Sequence, residues 1–155
     1  MRIRELRDDE NGLLKDLLYE AIFVPKNARA PHRSILERPE FAAYYQGFGS
    51  GSADNCLVAE VDGRVAGAVW TRIIDEFGCV EENTPWFAIA LYAGYRNQGI
   101  GTALMRRMLE LLKKQGWKQA VLSVHKANYA VRMYKALGFR TIRDKGKEYI
   151  MLRRF

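Results

Sequence analysis

Residues 86–104 read WFAIALYAGYRNQGIGTAL, and their pattern is the main evidence for the architecture of the chain. Its beginning, 86–92, is an unbroken apolar run with the length of a buried central strand. Gly99 and Gly101 follow at a spacing that permits a tight turn with close backbone approach. Residues 102–115 then place apolar side chains on one helical face, and Gly116 ends the helix. The stretch therefore predicts a strand, a glycine loop and a helix, in that order.

The glycine loop has two interpretations. Free N–H groups and the positive end of the helix dipole suit a phosphate or pyrophosphate at the start of the following helix. No Gly-Lys-Ser/Thr follows, so this is not a Walker loop, and two of the three glycines of the dinucleotide fingerprint are present. Taken alone, the glycines are equally consistent with a simple change of chain direction. Arg96 in this loop is either a phosphate contact or a solvated arginine.

The remaining elements are predicted outward from this unit. Asp62-Gly63 between two β-branched runs is typical of a hairpin turn. Asp8 or Asp9 is expected to cap a first helix whose apolar residues recur at helical spacing. The expected elements are a strand at 2–6, a helix at 13–22, turns at 25–39, a short helix at 40–45, hairpin strands at 56–61 and 64–72, a strand at 120–124, a helix at 128–137 and a strand at 148–152, with one more strand optional.

This order of elements predicts an α/β (α+β) fold. An early antiparallel hairpin followed by strand-helix-strand crossovers favours one mixed, mostly antiparallel sheet with helices on both faces. The chain has 155 residues, of which 48% are hydrophobic and 28% charged, so disorder and a coiled coil are disfavoured. We expect a single domain that spans residues 1–155.

The charge is uneven along the chain. Residues 1–78 contain 10 Lys and Arg against 13 Asp and Glu, whereas residues 79–155 contain 15 against 5, so the net charges are −3 and +10. The second half is therefore expected to meet something anionic, either nucleic acid or a phosphorylated cofactor. We expect no nucleic acid, because the basic residues form no recognition-helix pattern and no exposed aromatics are interleaved with them on a strand.

Cysteines, histidines and apolar runs exclude several other classes of protein. Cys56 and Cys79 form neither a CxxC pair nor a disulfide framework, and His32 and His125 complete no ligand set for zinc. We therefore expect free thiols and no metal. No apolar stretch reaches the roughly 18 residues of a membrane helix, and the N-terminus lacks a signal-peptide core. These observations predict a cytoplasmic protein without membrane contact.

Two motifs in this order resemble those of the GNAT superfamily of N-acetyltransferases. Residues 96–101, RNQGIG, are similar to the acetyl-CoA motif of that family, Arg/Gln-x-x-Gly-x-Gly/Ala. Residues 133–139, MYKALGF, look like the end of its next helix, Leu-Tyr-x-x-x-Gly-Phe. Residues 65–70, VAGAVW, resemble its third strand, so the likeness extends over nearly the whole chain. The resemblance implies a GNAT-like fold.

The resemblance also implies acetyl-CoA as the acyl donor and a set of binding residues. The central strand would offer its backbone to the pantetheine arm like an added strand, with a bulge that opens the sheet. The glycine loop would hold the pyrophosphate through backbone N–H groups. The family places an Asn where this chain has Ala127, so Asn128 either contacts the pantetheine region or caps the helix. The implied cofactor-binding residues are Ile89, Ala90, Leu91, Asn97, Gln98, Gly99, Ile100, Gly101, Thr102 and Asn128.

The chemistry of acyl transfer is assigned by the same resemblance. Tyr134 matches the general acid of the family, and a tyrosine with an ordinary pKa near ~10 is protonated at neutral pH. Its alternative role is that of a core aromatic on an amphipathic helix. The backbone N–H nearest Leu91 supplies the oxyanion contact. The general base stays open between Glu81, Glu82, His125 and water.

These observations lead to one main hypothesis for the function and two alternatives. The chain is expected to be an acetyl-CoA-dependent N-acetyltransferase that acetylates a primary amine by direct attack in a ternary complex. The alternatives are a non-catalytic acyl-CoA-binding module and a nucleic-acid-binding domain. The acceptor is a small-molecule or peptide amine of unassigned identity. A homodimer is preferred, with the apolar residues 149–152 pairing across it. An aromatic set either lines an amine pocket or packs in the core: Phe23, Phe41, Tyr44, Tyr45, Phe48 and Trp86.

Overall fold

A single seven-stranded sheet organises the molecule. The computed structural model describes residues 1–74 and 83–155. The strands are β1 (Arg2–Glu5), β2 (Asn55–Val61), β3 (Arg64–Ile73), β4 (Pro85–Leu91), β5 (Gln119–His125), β6 (Arg140–Asp144) and β7 (Glu148–Arg154). The helices are α1 (Leu13–Ala21), α2 (Pro39–Ala42), α3 (Ile100–Lys114) and α4 (Ala130–Ala136), with short 3-10 turns at Asp8–Glu10, Arg33–Glu37 and Ala93–Tyr95.

The strand order is β1-β2-β3-β4-β5-β7-β6. All neighbours in this order pair antiparallel except β4 and β5, which are parallel. The connection between β4 and β5 is α3, as a parallel crossover requires. The predicted mixed, mostly antiparallel sheet is therefore confirmed.

The helices cover both faces of this sheet, as predicted. Side chains alternate along a strand, so Leu57 and Ala59 of β2 join the core cluster of α3 and α4. Cys56 and Val58 of the same strand face the opposite way, into the cluster built around α1 and α2. The two layers of helices therefore lie on opposite sides of one sheet, and a ligand that enters between two strands has access to both.

The helix that follows the glycine loop forms for local reasons. Its apolar positions at i, i+3, i+4 and i+7 spacing are buried, with Leu104, Met108 and Leu112 fully inaccessible. Lys113 and Lys114 in its last turn complement the negative end of the helix dipole. The helix begins two residues earlier than the sequence predicts, at Ile100, which brings the second glycine of the loop into its first turn.

The hairpin turn between β2 and β3 is the one that the sequence predicts. Asp62 and Gly63 both have positive φ, 51° and 76°. Two successive left-handed residues are the requirement of a type I′ turn, which Asp-Gly satisfies. The turn sets the register of the two central antiparallel strands.

The predicted cap of the first helix is wrong. Asp8 and Asp9 lie in a separate 3-10 turn, and α1 begins at Leu13 after Gly12, which makes no side-chain cap. The cause is a tertiary contact, because Arg4 of β1 donates two hydrogen bonds, of 2.8 and 2.9 Å, to the carboxylate of Glu10. That ion pair draws residues 8–10 towards the sheet and away from the helix.

The last strand of the chain is not at the edge of the sheet. β7 pairs with β5 on one side and with β6 on the other. Residues 149–152 therefore have no free edge, and their predicted pairing across a homodimer is wrong. The edge strand on this side of the sheet is β6, whose five residues are all exposed. The sequence prediction assigns no strand to these residues, because their side chains form no buried face.

Candidate active site

The strands β4 and β5 separate after a single pair of residues. Within residues 85–91 and 119–125, Trp86 and Val121 are the one pair of parallel partners. Both strands continue beyond this pair, to Leu91 and His125. The sheet therefore opens between the carboxyl ends of two neighbouring strands, directly before the glycine loop. An extended ligand fits such an opening as an added strand.

The pairing of β4 with its other neighbour is regular. Residues 85–91 pair with 67–73 of β3 with no shift of register, so the predicted bulge in β4 is wrong. The register shift lies elsewhere, between Ala59 and Glu60 in the pairing of β2 with β3. The sheet opens because β4 and β5 diverge, and no extra residue in β4 is needed.

Regular pairing decides which backbone groups of β4 face the opening. The amide of Tyr92 donates a hydrogen bond of 2.9 Å to the carbonyl of Ala66 in β3. Hydrogen-bonded and non-bonded pairs alternate in an antiparallel ladder, so the backbone of Ala90 also faces β3. Ile89 and Leu91 then direct their backbone groups towards β5. The prediction for Ala90 is corrected accordingly, because its backbone groups belong to the sheet.

The loop between β4 and α3 presents free backbone amides. Asn97 and Gly99 have left-handed conformations, with φ of 60° and 82°. The first hydrogen bond of the helix joins the Ala103 amide to the Gly99 carbonyl at 3.1 Å, so the amides of 100–102 precede the helical pattern. Gly99 caps α3 without a side-chain bond. These amides and the helix dipole together form a site suited to phosphate oxygens.

Three elements meet where Gly101 lies in the first turn of α3. A Cβ atom added there would lie 3.7 Å from Cδ1 of Leu91 and 3.8 Å from Cδ1 of Ile89. It would also lie 3.9 Å from Sδ of Met133, in α4. The end of β4, the start of α3 and the helix that contains Tyr134 therefore converge, as the sequence predicts for a single site.

Arg96 joins the glycine loop to the rest of the fold. Its Nε donates to the carbonyl of Leu91 at 3.0 Å. Its Nη2 donates to the backbone carbonyl of Glu20 at 3.3 Å and to the Glu20 carboxylate at 3.1 Å. The guanidinium is directed at the end of α1. Its hydrogen bonds therefore connect the glycine loop and the end of β4 to α1.

Asn128 and its neighbour lie on the opposite side of the opening. The side-chain oxygen of Asn128 accepts a hydrogen bond of 2.9 Å from the amide of Ala130, the first residue of α4, and the N-cap position itself is Tyr129. Within 1–74 and 83–155, its side-chain NH2 group has no acceptor. Tyr129 donates its hydroxyl proton to the side-chain oxygen of Asn97 in the glycine loop. The two loops at the mouth of the opening are therefore connected.

Tyr134 is a buried residue on the inner side of α4. It is 7% exposed, and its ring packs against Phe139 with the centroids 6.1 Å apart. Burial raises the pKa of Tyr134 to about 12, because the phenolate loses its hydration there. Among the described residues, the Tyr134 hydroxyl has no hydrogen-bond partner. No fully buried side-chain nitrogen or oxygen in this part of the chain lacks a hydrogen-bond partner. At neutral pH the hydroxyl is therefore a protonated group that is able to donate.

The histidine considered as a base is already engaged. The Nδ1 atom of His125 accepts a hydrogen bond of 3.0 Å from the Ala127 amide. In the neutral ring the proton then resides on Nε2, so no lone pair is free. The ring also packs against Phe23, with centroids 4.9 Å apart. This geometry opposes a role of His125 as the general base. Glu81 and Glu82 lie outside the described residues.

Most of the aromatic set belongs to the core. Four of these residues pack against the cluster around α1, and Trp86 is 1% exposed in a cluster of its own on the sheet. Phe23 differs, because its contact is with His125 at the end of β5. Phe23 therefore remains as a candidate for the acceptor side of the opening. The four that pack against the cluster are Phe41, Tyr44, Tyr45 and Phe48.

The opening between β4 and β5 has room for an extended ligand, and it ends at free amides of α3 that suit a phosphate. Both features agree with the motifs in the sequence. The family model described as the acetyltransferase (GNAT) family matches residues 18–139. The chain belongs to this family. The matched range begins inside α1 and ends at Phe139, so it includes the opening, the glycine loop and α4.

The GNAT family includes relatives with which this chain aligns in part. An N-alpha-acetyltransferase of Sulfurisphaera tokodaii is 32% identical over 95 residues, which are 56% of this chain and 57% of that protein. The chain thus aligns with little more than half the length of this relative. The match is one of sequence, and what that protein acts on is considered for this chain only as a proposal below.

Solved structures show the same GNAT fold over almost the whole chain. The PaiA N-acetyltransferase from Thermoplasma acidophilum, in complex with coenzyme A, has a TM-score of 0.72 at 20% identity, covering 99% of this chain and 98% of that one. YncA from Salmonella typhimurium, solved with acetyl-CoA, has a TM-score of 0.70 at 19% identity, covering 99% and 93%. At these identities the likeness establishes the fold.

Two further features of the described residues concern metals and membranes. Over 1–74 and 83–155, no group of three His, Cys, Asp or Glu side chains is arranged to hold a metal ion. In that same part of the chain no helix is both long and apolar enough to cross a membrane.

Some residues of the GNAT site are absent from the sequence prediction. Tyr129 is not predicted, and the role of Arg96 is left open, because their partners Asn97 and Glu20 lie 32 and 76 residues away. No periodicity or spacing signals a contact of that kind. The available signal is the position of both residues beside the motif residues that the family requires.

Proposed function

We propose that this GNAT-family chain is an acetyl-CoA-dependent N-acetyltransferase that acetylates a primary amine in a ternary complex. The observation that supports this most is the opening between β4 and β5, which leads to the free amides of residues 100–102. A thioester with an extended arm and a pyrophosphate matches that shape and chemistry. The relative named as an N-alpha-acetyltransferase and the structures solved with coenzyme A or acetyl-CoA support the same proposal.

The donor substrate is proposed to lie along β4. Its pyrophosphate accepts hydrogen bonds from the amides of residues 97–102, its pantetheine arm pairs with the backbone of Ile89, and its thioester carbonyl lies at the Leu91 amide. The side-chain NH2 group of Asn128 contacts the arm from the other side of the opening. The Leu91 carbonyl is already bonded to Arg96, so the Leu91 amide is the group of that residue left for the substrate.

The acetyl transfer is proposed to proceed by direct attack. The lone pair of the acceptor amine forms a bond to the thioester carbonyl carbon, and the Leu91 amide donates to the resulting oxyanion. The carbon–sulfur bond then breaks, and the thiolate takes a proton from the Tyr134 hydroxyl. The proton lost by the attacking nitrogen passes to water, and Tyr134 is reprotonated from solvent. The products are the acetylated amine and the free thiol of CoA.

Water is proposed as the base because the described residues offer no better one. His125 has its Nδ1 lone pair bonded to the Ala127 amide. The acceptor enters from the side of the opening on which Phe23 meets His125, opposite α3. We further propose that residues 1–155 act as one domain, that the acceptor is a small-molecule or peptide amine, and that the protein is cytoplasmic.

The proposed activity is tested by the release of CoA thiol from acetyl-CoA with a panel of amines. The panel consists of peptides with free N-termini, polyamines and small aromatic amines, and the Tyr134→Phe variant is the matched control. Acetylated product that depends on the Tyr134 hydroxyl is expected with one class of amine. Tight acetyl-CoA binding without acetylation of any amine would contradict the enzymatic proposal and favour an acyl-CoA-binding module.

A further inference from the structure

Tyr129 is an aromatic residue whose ring does not pack in the hydrophobic core. It precedes α4 and is 67% exposed, as much as the terminal Met1 and more than any other large hydrophobic side chain of the described residues. Exposure of this degree excludes a packing role for the ring. The ring therefore stands in solvent at the mouth of the opening between β4 and β5.

The position of this ring is nevertheless restrained. Its hydroxyl donates to the side-chain oxygen of Asn97, and Asn97 is held in a left-handed conformation with a φ of 60°. Asn97 belongs to the loop whose amides form the phosphate-type site. The flat face of Tyr129 is thus anchored beside the proposed pyrophosphate position, and its remaining surface is accessible.

We propose that Tyr129 is the stacking platform for the adenine base of the acyl-CoA donor. This proposal rests on the proposed function, because it takes the pyrophosphate to lie on the amides of residues 97–102. In CoA a ribose alone separates the pyrophosphate from the purine, so the base reaches only the immediate surroundings of that loop. A planar purine stacks on an aromatic side chain, and a tyrosine fixed by its hydroxyl loses little freedom when it does so.

The test compares two donors that differ in the nucleotide. Acetyl-CoA and S-acetyl-pantetheine contain the same thioester and the same arm, but the second lacks the adenosine and its phosphates. Dissociation constants are measured by chemical-shift titration, which covers millimolar and micromolar affinities alike. Tyr129→Ala removes the ring, and Tyr129→Phe keeps the ring but removes the bond to Asn97. Ile142→Ala truncates another exposed apolar side chain, on the edge strand β6.

We expect a loss of affinity in one variant, Tyr129→Ala, and for one donor, acetyl-CoA. Tyr129→Ala binds acetyl-CoA about tenfold more weakly, in line with one lost stacking contact. Its affinity for S-acetyl-pantetheine stays within about twofold of the parent protein, since the arm does not reach the ring. Tyr129→Phe stays within about threefold for both donors, and Ile142→Ala matches the parent protein.

Two results would overturn the proposal. A loss of acetyl-CoA affinity in Tyr129→Phe as large as that in Tyr129→Ala means that the residue holds the loop through Asn97 and does not touch the base. An unchanged affinity for acetyl-CoA means that the purine lies elsewhere. Failure of the proposed donor site is distinct from both, because the parent protein would then bind neither donor, and absence of acetyl transfer alone leaves these affinities unchanged.

Discussion

The guanidinium of Arg96 lies 3.1 Å from the carboxylate of Glu20 and so connects the glycine loop to the last residues of α1. The same guanidinium bonds to the carbonyl of Leu91 at the end of β4. It also donates to the backbone carbonyl of Glu20, one of the four carbonyls that the end of a helix leaves without a partner. Arg96 therefore positions the strand that is proposed to hold the donor arm.

The first prediction concerns Arg96 as a positioning residue. Arg96→Gln removes the bond to Leu91, so we expect acetyl-CoA to bind about fivefold more weakly, the equivalent of one hydrogen bond of ~1 kcal/mol. Glu20→Gln is expected to weaken acetyl-CoA binding by less than about twofold, because the ion pair between Glu20 and Arg96 is partly exposed. Titration with acetyl-CoA measures both. The Arg96→Gln loss should persist with S-acetyl-pantetheine, whereas a phosphate-binding arginine would show no loss with that donor.

The second prediction concerns Tyr134 as the proton donor. Tyr134→Phe keeps the ring packed against Phe139 and removes the hydroxyl, so we expect kcat to fall by about 10²-fold or more. The dissociation constant for acetyl-CoA should stay within about twofold. Steady-state kinetics and calorimetric titration separate the two effects. Turnover at the parent level would rule out the assignment of Tyr134 as the acid.

The third prediction concerns His125. Because its Nδ1 already accepts from the Ala127 amide, His125→Gln should keep kcat within about threefold and leave the shape of the pH–rate profile unchanged. Glutamine keeps a side-chain acceptor for that amide. Loss of one limb of the profile in this variant would instead identify His125 as the base.

The fourth prediction concerns stability at low pH. Hydrogen bonds from Arg4 lower the pKa of Glu10 from 4.5 to about 2, and the two side chains are 10% and 16% exposed. The stabilisation is therefore complete above the ordinary pKa, declines as the pH falls below about 4.5, and is fully lost once the pH has fallen through about 2. Glu10→Gln should lower the free energy of unfolding at pH 7 by about 1 kcal/mol, since Arg4 keeps its bond to Glu60.

Urea unfolding at pH 7 and at pH 3 measures this contribution. The parent protein should lose more stability than Glu10→Gln between the two pH values. Glu5→Gln, next to Arg4 on β1 and with an exposed side chain, is the matched control and should follow the parent protein. Identical acid sensitivity of Glu10→Gln and the parent protein would show that the ion pair does not stabilise the folded state.

Elements determined by neighbouring residues could be predicted from the sequence. The Asp62-Gly63 turn, the apolar run of β4 and the amphipathic face of α3 each depend on residues within a few positions of one another. The family motifs extend this local information to the glycine loop and Tyr134. The family, the mixed sheet and the two helical layers were predictable for this reason, and they are confirmed.

The features that could not be predicted depend on contacts between distant residues. Asp8 and Asp9 fail as caps because Arg4 holds Glu10 on the sheet. Residues 149–152 cannot pair across a dimer, because the exposed strand β6 already pairs with that edge of β7. The backbone of Ala90 faces β3 because of the register of the whole ladder, which composition does not encode.

The most direct test of the proposed donor site is calorimetric titration of Thr102→Glu with acetyl-CoA. An added carboxylate in the first turn of α3 complements the helix dipole, so the fold should be as stable as before. The same charge repels a pyrophosphate on the amides of residues 100–102, so binding should fall by more than tenfold, whereas Thr102→Gln should bind like the parent protein. Unchanged acetyl-CoA affinity in Thr102→Glu would contradict the assignment of this helix start as the pyrophosphate site.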